Sequence, residues 1–141
     1  MEDFVTIELA KKLKEKGFSE KCLYHYFDNK LVANTCKSDN DNITTEDLLM
    51  SCNYLVSQFD TVGSNVVVSD APTISQVLKW LREETKINVN MRLYKENGWY
   101  YTIQNYKGEP LYSQLTNTDE LYPSYEEAAL VGIEYVINNL I

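Results

Sequence analysis

INVNMRLYKENGWYYTIQNY, residues 87–106, is the stretch whose reading decides the fold. Ile87, Val89, Met91 and Leu93 alternate with Asn88, Asn90, Arg92 and Tyr94. A period of two puts each set on its own face of a strand, so the segment reads as a half-buried antiparallel strand. Asn97-Gly98 is turn chemistry, and Trp99 to Tyr106 returns. A two-residue loop would set Leu93 opposite Thr102 and Met91 opposite Gln104, burying polar groups. A three-residue loop, Glu96-Asn97-Gly98, sets Leu93 opposite Tyr101 and Met91 opposite Ile103. The second register is the expectation, with Gly98 left-handed in a G1 bulge. The expected apolar face is Ile87, Val89, Met91, Leu93, Tyr101 and Ile103, and Leu93→Ala or Ile103→Ala should each cost about 2–4 kcal/mol.

Upstream of this hairpin, Thr73 and Gln76 form a T-x-x-Q capping box just after Pro72. Ile74, Val77, Leu78 and Leu81 then share a helical face, Lys79, Arg82, Glu83 and Glu84 face out, and Trp80 lies at the stripe's edge. Downstream, Lys107-Gly108 is a turn, and Leu111–Leu115 is a candidate third strand. Thr116–Leu121 reads as an acidic loop. Ser124 and Glu127 make a second capping box for a last helix with Tyr125, Ala129, Ile133, Val136 and Leu140 on one face.

Further out, Asp3 to Lys16 reads as a helix. Val5, Leu9 and Leu13 recur every four residues, lysines load the C-terminal end, and Gly17 stands where a left-handed cap belongs. Cys22–Phe27 and Leu31–Asn34, separated by Asp28-Asn29-Lys30, read as a short hairpin. Thr35–Ile43 is a polar loop. Thr44 or Thr45, followed by Glu46 and Asp47, starts a helix striped with Leu48, Leu49, Cys52, Leu55, Val56 and Phe59, and Gly63 breaks it. Val66-Val67-Val68 is a candidate buried strand. The expected fold is a single α+β domain over residues 1–141, with an antiparallel sheet of hairpins packed against about four helices.

At 141 residues the chain is long enough to bury a core without disulfides or metal. Its net charge of −8 argues against direct binding to a nucleic-acid duplex, which needs positive surface. The apolar runs are too short for a membrane span. The opening MEDFVTIELAKK is not a secretory signal pattern. Cys22, Cys36 and Cys52 are odd in number with no CxxC spacing, which reads as reduced thiols in a cytoplasm.

Three blocks look familiar together: APTISQVLKWLREE at 71–84 with the strand pair behind it, SYEEAALVGIEYVINNLI at 124–141, and TIELAKKLKEKGF at 6–18. They resemble a group of small uncharacterised α+β proteins of gut bacteria and their phages and prophages. The resemblance covers about two thirds of the chain, and residues 35–69 depart from it as an insertion would. It implies an intracellular accessory protein of a mobile element. It brings no catalytic residues and no reaction.

Enzyme chemistry finds little footing in the residues themselves. His25 is the sole histidine, and it sits in a strand without a motif around it, so a structural or surface role is expected. Ser38-Asp39-Asn40-Asp41-Asn42 starts like a calcium loop. Counting from Asp39, however, positions six and twelve hold Thr44 and Met50 where Gly and Glu are required. No Walker A, GxGxxG or GxSxG stretch occurs. No catalytic residue, metal ligand or cofactor is therefore expected.

The recognition surface expected instead is the outward hairpin face: Arg92, Tyr94, Tyr100, Tyr106, Asn90 and Gln104, with Tyr94 opposite Tyr100 and Arg92 opposite Thr102. Tyr and Arg join contact area to hydrogen bonding at low entropy cost, and an aromatic shelf beside an Arg can stack a base and hold a phosphate. The competing reading is a solvated sheet face, where Tyr and Thr are simply good strand formers.

The leading functional expectation is a non-enzymatic phage or prophage binding protein. It would be an anti-defence factor that inhibits a host protein or sequesters a small signalling nucleotide. The alternative is a structural or assembly protein that forms homo-oligomers through its exposed sheet face. An enzyme with a dispersed site is a third class.

Overall fold

Thr6 and Thr73 each open a helix by the same device, a hydroxyl that accepts an otherwise orphaned backbone N–H. The computed structural model describes residues 3–27, 30–33, 68–117 and 120–141. The chain divides into two compact units, Phe4–Pro72 and Met1–Asp3 with Thr73–Ile141. Both mix helices with antiparallel strands, so the fold class is α+β. Among the described residues the strands lie in two three-stranded sheets.

In the unit Phe4–Pro72, helix α1 spans Ile7–Glu15, shorter than the expected Asp3–Lys16. Its cap is Thr6, whose Oγ1 accepts from the Leu9 N–H at 3.2 Å. Val5 stays outside the helix because its N–H donates to the Pro72 carbonyl at 3.1 Å. Val5, Leu9 and Leu13 are all buried. Gly17 takes the expected positive φ, +97°. The Gly17 and Phe18 N–H groups donate back to the Lys14 and Leu13 carbonyls, which closes a Schellman motif.

Strand β1 (Tyr24–Phe27) lies between β2 (Lys30–Ala33) and β3 (Val68–Asp70), antiparallel to both. The first hairpin is thus formed, with Phe27 paired to Lys30; Asp28 and Asn29 of its expected turn lie outside the described residues. The Tyr26 hydroxyl donates to the Val5 carbonyl at 2.6 Å. The loop expected at 35–43, the helix from Thr44 to Phe59, and Val66-Val67 also lie outside the described residues.

In the unit carrying Thr73–Ile141, helix α2 spans Ile74–Trp80, and both halves of its capping box are made. The Gln76 N–H donates to Thr73 Oγ1 at 3.2 Å, and the Thr73 N–H donates to Gln76 Oε1 at 3.0 Å. Ile74, Val77, Leu78 and Leu81 are buried, and Trp80 is buried with them rather than at the margin. The helix widens into a π turn over Leu81–Thr85, where the Thr85 hydroxyl donates to the Leu81 carbonyl at 2.7 Å. Lys86, left-handed at φ +62°, ends it.

Strands β4 (Ile87–Tyr94), β5 (Gly98–Asn105) and β6 (Pro110–Ser113) follow, in that order across the sheet. The hairpin register differs from the expected one. Leu93 pairs with Trp99, Met91 with Tyr101 and Val89 with Ile103, around a three-residue turn at Lys95-Glu96-Asn97. The cause lies beyond the hairpin. Trp99 and Tyr122 exchange both backbone hydrogen bonds at 2.8 Å. A β-carbon on residue 98 would then meet Leu121 Cβ and the Tyr122 carbonyl oxygen at 3.0 Å each. Gly98, at φ +149°, is therefore used where β5 passes Tyr122, and the turn moves back one residue, with Lys95 taking positive φ (+52°). Pairing slips by two, so every side chain keeps its face.

A single helical turn and a 15-residue helix complete the sheet's surroundings. The candidate third strand ends at Ser113 and gives way to the helical turn α3 (Gln114–Asn117). The buried Gln114 donates Nε2 to the Glu120 carbonyl. Helix α4 (Tyr125–Asn139) starts with the Ser124 half of its expected box, Oγ accepting from the Glu127 N–H at 3.1 Å. It packs on β4 and β5 through Ala128, Ala129, Gly132, Ile133, Val136 and Ile137. Tyr125 and Leu140, expected on that face, stand at its ends and stay partly exposed.

The apolar sheet face is shorter than expected. Ile87, Val89, Tyr101 and Ile103 are buried, Met91 is half-buried, and Leu93 is 55% exposed. Helix α4 crosses the sheet at Val89 and Tyr101, where Gly132 lies against both. Leu93, farther towards the turn, receives no such cover.

Candidate functional site

Alternation along β4 and β5 puts Asn88, Asn90, Arg92 and Tyr94 on the sheet face opposite the buried one, with Tyr100, Thr102 and Gln104 from β5. The observed pairs are Arg92 with Tyr100, Asn90 with Thr102 and Asn88 with Gln104. The expected pairs Tyr94–Tyr100 and Arg92–Thr102 are not formed, for the register reason above. Tyr94 and Tyr100 still meet diagonally, edge to face, with ring centroids 6.4 Å apart.

Arg92 is exposed and makes no ion pair among the described residues. Its guanidinium is thus not committed to a carboxylate of any described helix. Lys95, which sequence reasoning placed nowhere near the site, holds Nζ 5.8 Å from the Tyr94 ring centroid. Its only signal was its place beside the turn. Asn90 lies one pleat from Arg92, and its Nδ2 is buried without a hydrogen-bond acceptor among the described residues. Gln104 pairs with Pro110 on its other side.

Tyr106 falls away from this group. It lies past the end of β5, is 70% exposed, and has Lys107 Nζ 5.6 Å from its ring centroid. The turn there is held by Asn105, whose Oδ1 accepts from the Lys107 and Glu109 N–H groups. Of the six expected residues, the fold therefore clusters Arg92, Tyr94 and Tyr100, places Asn90 and Gln104 on the same face, and sets Tyr106 apart.

The opposite face carries an aromatic group that periodicity did not single out. Tyr112 stacks on Tyr135 with centroids 3.9 Å apart and on Tyr101 at 5.9 Å. Tyr122 lies tilted against Tyr101 at 6.5 Å. Burial, then the neighbouring Tyr112 and Tyr122, push the Tyr101 hydroxyl far above its usual 10.0, and a hydrogen bond with Tyr112 adds to the shift. Tyr122 is also raised, by burial and then by Glu120. Protonated, mutually stacked phenols of this kind suit packing rather than proton transfer near neutral pH.

His25 is buried in the central strand β1, between Val32 and Asp70 in register. Cys22 is buried, and its thiol donates to the Glu20 carbonyl at 3.5 Å. The calcium-like stretch 38–42 lies outside the described residues, as do Cys36 and Cys52. No cluster of metal-ligating side chains occurs among the described residues, and no described helix is long and apolar enough to cross a membrane.

No family model matches the chain, and no curated protein or solved structure matches it either.

Proposed function

We propose that this chain acts by binding rather than by catalysis, and that the Arg92–Tyr94–Tyr100 face of the β4–β5 hairpin is its recognition surface. The observation that carries the reading is the state of Arg92: exposed, opposite Tyr100, and outside any ion pair among the described residues. A planar fork of donors beside two tyrosine rings suits an anionic group attached to a flat or apolar body. A guanidinium engaged by a helix carboxylate would have argued for a structural role instead.

The partner fits one of two chemistries, an acidic patch on a host protein or a small signalling nucleotide. In the phage or prophage setting that the sequence resemblance implies, the protein is an accessory anti-defence factor in the host cytoplasm. An acidic chain of net charge −8 is also repelled by nucleic-acid backbones, which favours a compact anion over a duplex. The test is to purify the protein from host extract and identify the co-purifying species by mass spectrometry, with heat-released small molecules included. A protein or nucleotide retained by wild type and lost on Arg92→Ala supports the reading. Retention that is indifferent to Arg92, Tyr94 and Tyr100 sinks it.

A further inference from the structure

The two edges of the β4-β5-β6 sheet are built differently. The β6 edge is blunted. It is four residues long, opens with Pro110, and meets β5 through a register irregularity between Ile103 and Gln104. Short length, proline and bulges are the usual means of stopping a sheet edge from pairing onward. The β4 edge has none of them. It runs eight residues, Ile87–Tyr94, in unbroken register with β5, without Pro, Gly or Lys. Among the described residues it is paired on one side only. Its far half is also open, with Arg92 and Tyr94 exposed and Leu93 55% exposed.

We propose that β4 pairs with β4 of a second copy of this chain, antiparallel about a twofold axis, joining two three-stranded sheets into one of six strands. Of the registers that keep apolar residues of β4 against apolar ones, the one centred on Asn90 alone pairs all four of them. An offset that pairs residues of unlike parity would set apolar side chains against polar ones. Centring the axis on Arg92 would place two guanidiniums side by side. Centring it on Asn90 pairs Ile87 with Leu93, Val89 with Met91 and Asn88 with Arg92, each across the axis, and Asn90 with itself. That register covers the exposed Leu93 with the partner's apolar row. It also sets the two Asn90 carboxamides across the axis from each other; Asn90 Nδ2 has no hydrogen-bond partner among the described residues, and the side chain as a whole is half-buried. A closed twofold contact of this kind is isologous, so one edge serves both copies and only the two blunted β6 edges remain. The pairing runs through the backbone edge, so the recognition face stays on one side of the joined sheet and occurs twice, with each Arg92 beside Asn88 of the second copy. The proposal does not depend on what that face binds.

Light scattering on the full-length chain across a concentration series should report twice 16.4 kDa at the upper end. Asn90→Cys, oxidised under mild conditions, should cross-link to a dimer, while wild type with its own three cysteines does not. Directly opposed strand residues have α-carbons close enough for a disulfide. Asn88→Asp should tighten the dimer by no more than about fivefold for each of its two symmetric pairs with Arg92, as for an exposed ion pair. Arg92→Glu should loosen the Asn88→Asp dimer by placing like charges together. A monomer at every concentration overturns the proposal. So does a dimer that Asn90→Cys fails to cross-link and that the charge changes leave unaltered.

Discussion

Gly132 of α4 lies against Val89 of β4 so closely that a β-carbon on residue 132 would stand 2.7 Å from Val89 Cγ1. The same β-carbon would be 3.2 Å from the Tyr101 ring. A glycine in a helix interior costs about 1 kcal/mol against alanine, so its presence needs a reason, and this contact supplies one. Neither neighbour can give way easily: Val is stiff at χ1, and Tyr101 is held in the aromatic stack. Gly132→Ala should therefore destabilise the protein by about 1–3 kcal/mol despite the better helix former. Urea denaturation would measure it. Val89→Ala in the same chain should recover part of the loss, because it removes the methyl that clashes.

Leu93 and Ile103 looked equivalent in the sequence and are not. Ile103 is fully buried, so Ile103→Ala should cost about 2–4 kcal/mol by cavity formation. Leu93 is 55% exposed, so Leu93→Ala should stay within about 0.5 kcal/mol for the monomer. Denaturation midpoints measured at a concentration low enough to exclude dimer would separate the two.

Stability should fall in alkali, beginning near pH 10. Tyr101, Tyr122 and Tyr26 all have hydroxyls raised above the usual 10.0, in each case first by burial. A raised value means the folded state holds the proton more tightly than the unfolded one. The advantage is complete below the unfolded value. It is lost as pH climbs from there through the folded values, because the unfolded chain ionises first. Absorbance at 295 nm should show these tyrosines ionising late, with the last of them accompanying unfolding. Tyr101→Phe should soften the alkaline fall, at a cost near neutral pH of about 1 kcal/mol for the lost hydrogen bond.

Thr73→Ala should cost about 1–2 kcal/mol, since it removes the acceptor that satisfies the Gln76 N–H at the start of α2. Gln76→Ala should cost less, because the Thr73 hydroxyl still caps the helix. A thermal melt of each variant, with the order reversed, would contradict this account of the cap.

Arg92→Lys should leave folding within about 0.5 kcal/mol of wild type, as an exposed substitution with no ion pair to lose among the described residues. It should weaken capture of whatever the hairpin face binds, because an ammonium cannot reproduce the planar fork. Tyr94→Phe and Tyr100→Phe should be milder than the alanine changes if the rings act through stacking. Pull-down yield against melting temperature, variant by variant, separates recognition from folding.

Local chemistry in the sequence determined the α+β class, the starts of two helices at Thr73 and Ser124, the Gly17 cap and the division of the β4–β5 hairpin into two faces. Each of these rests on residues a few positions apart: a hydroxyl and the amide three residues on, or a strand's period of two. Such signals survive whatever the rest of the chain does. The hairpin register, the exposure of Leu93 and the need for Gly132 were decided only in the tertiary structure. Gly98 reads as a turn residue until Tyr122 pairs with Trp99 and claims its missing β-carbon. Leu93 reads as core until the place where α4 crosses β4 is known. The candidate site divides the same way. Alternation alone put Arg92, Tyr94 and Tyr100 on one face. Which of them meet, and the loss of Tyr106 from the group, followed from a two-residue slip set by a contact more than twenty residues downstream of the turn.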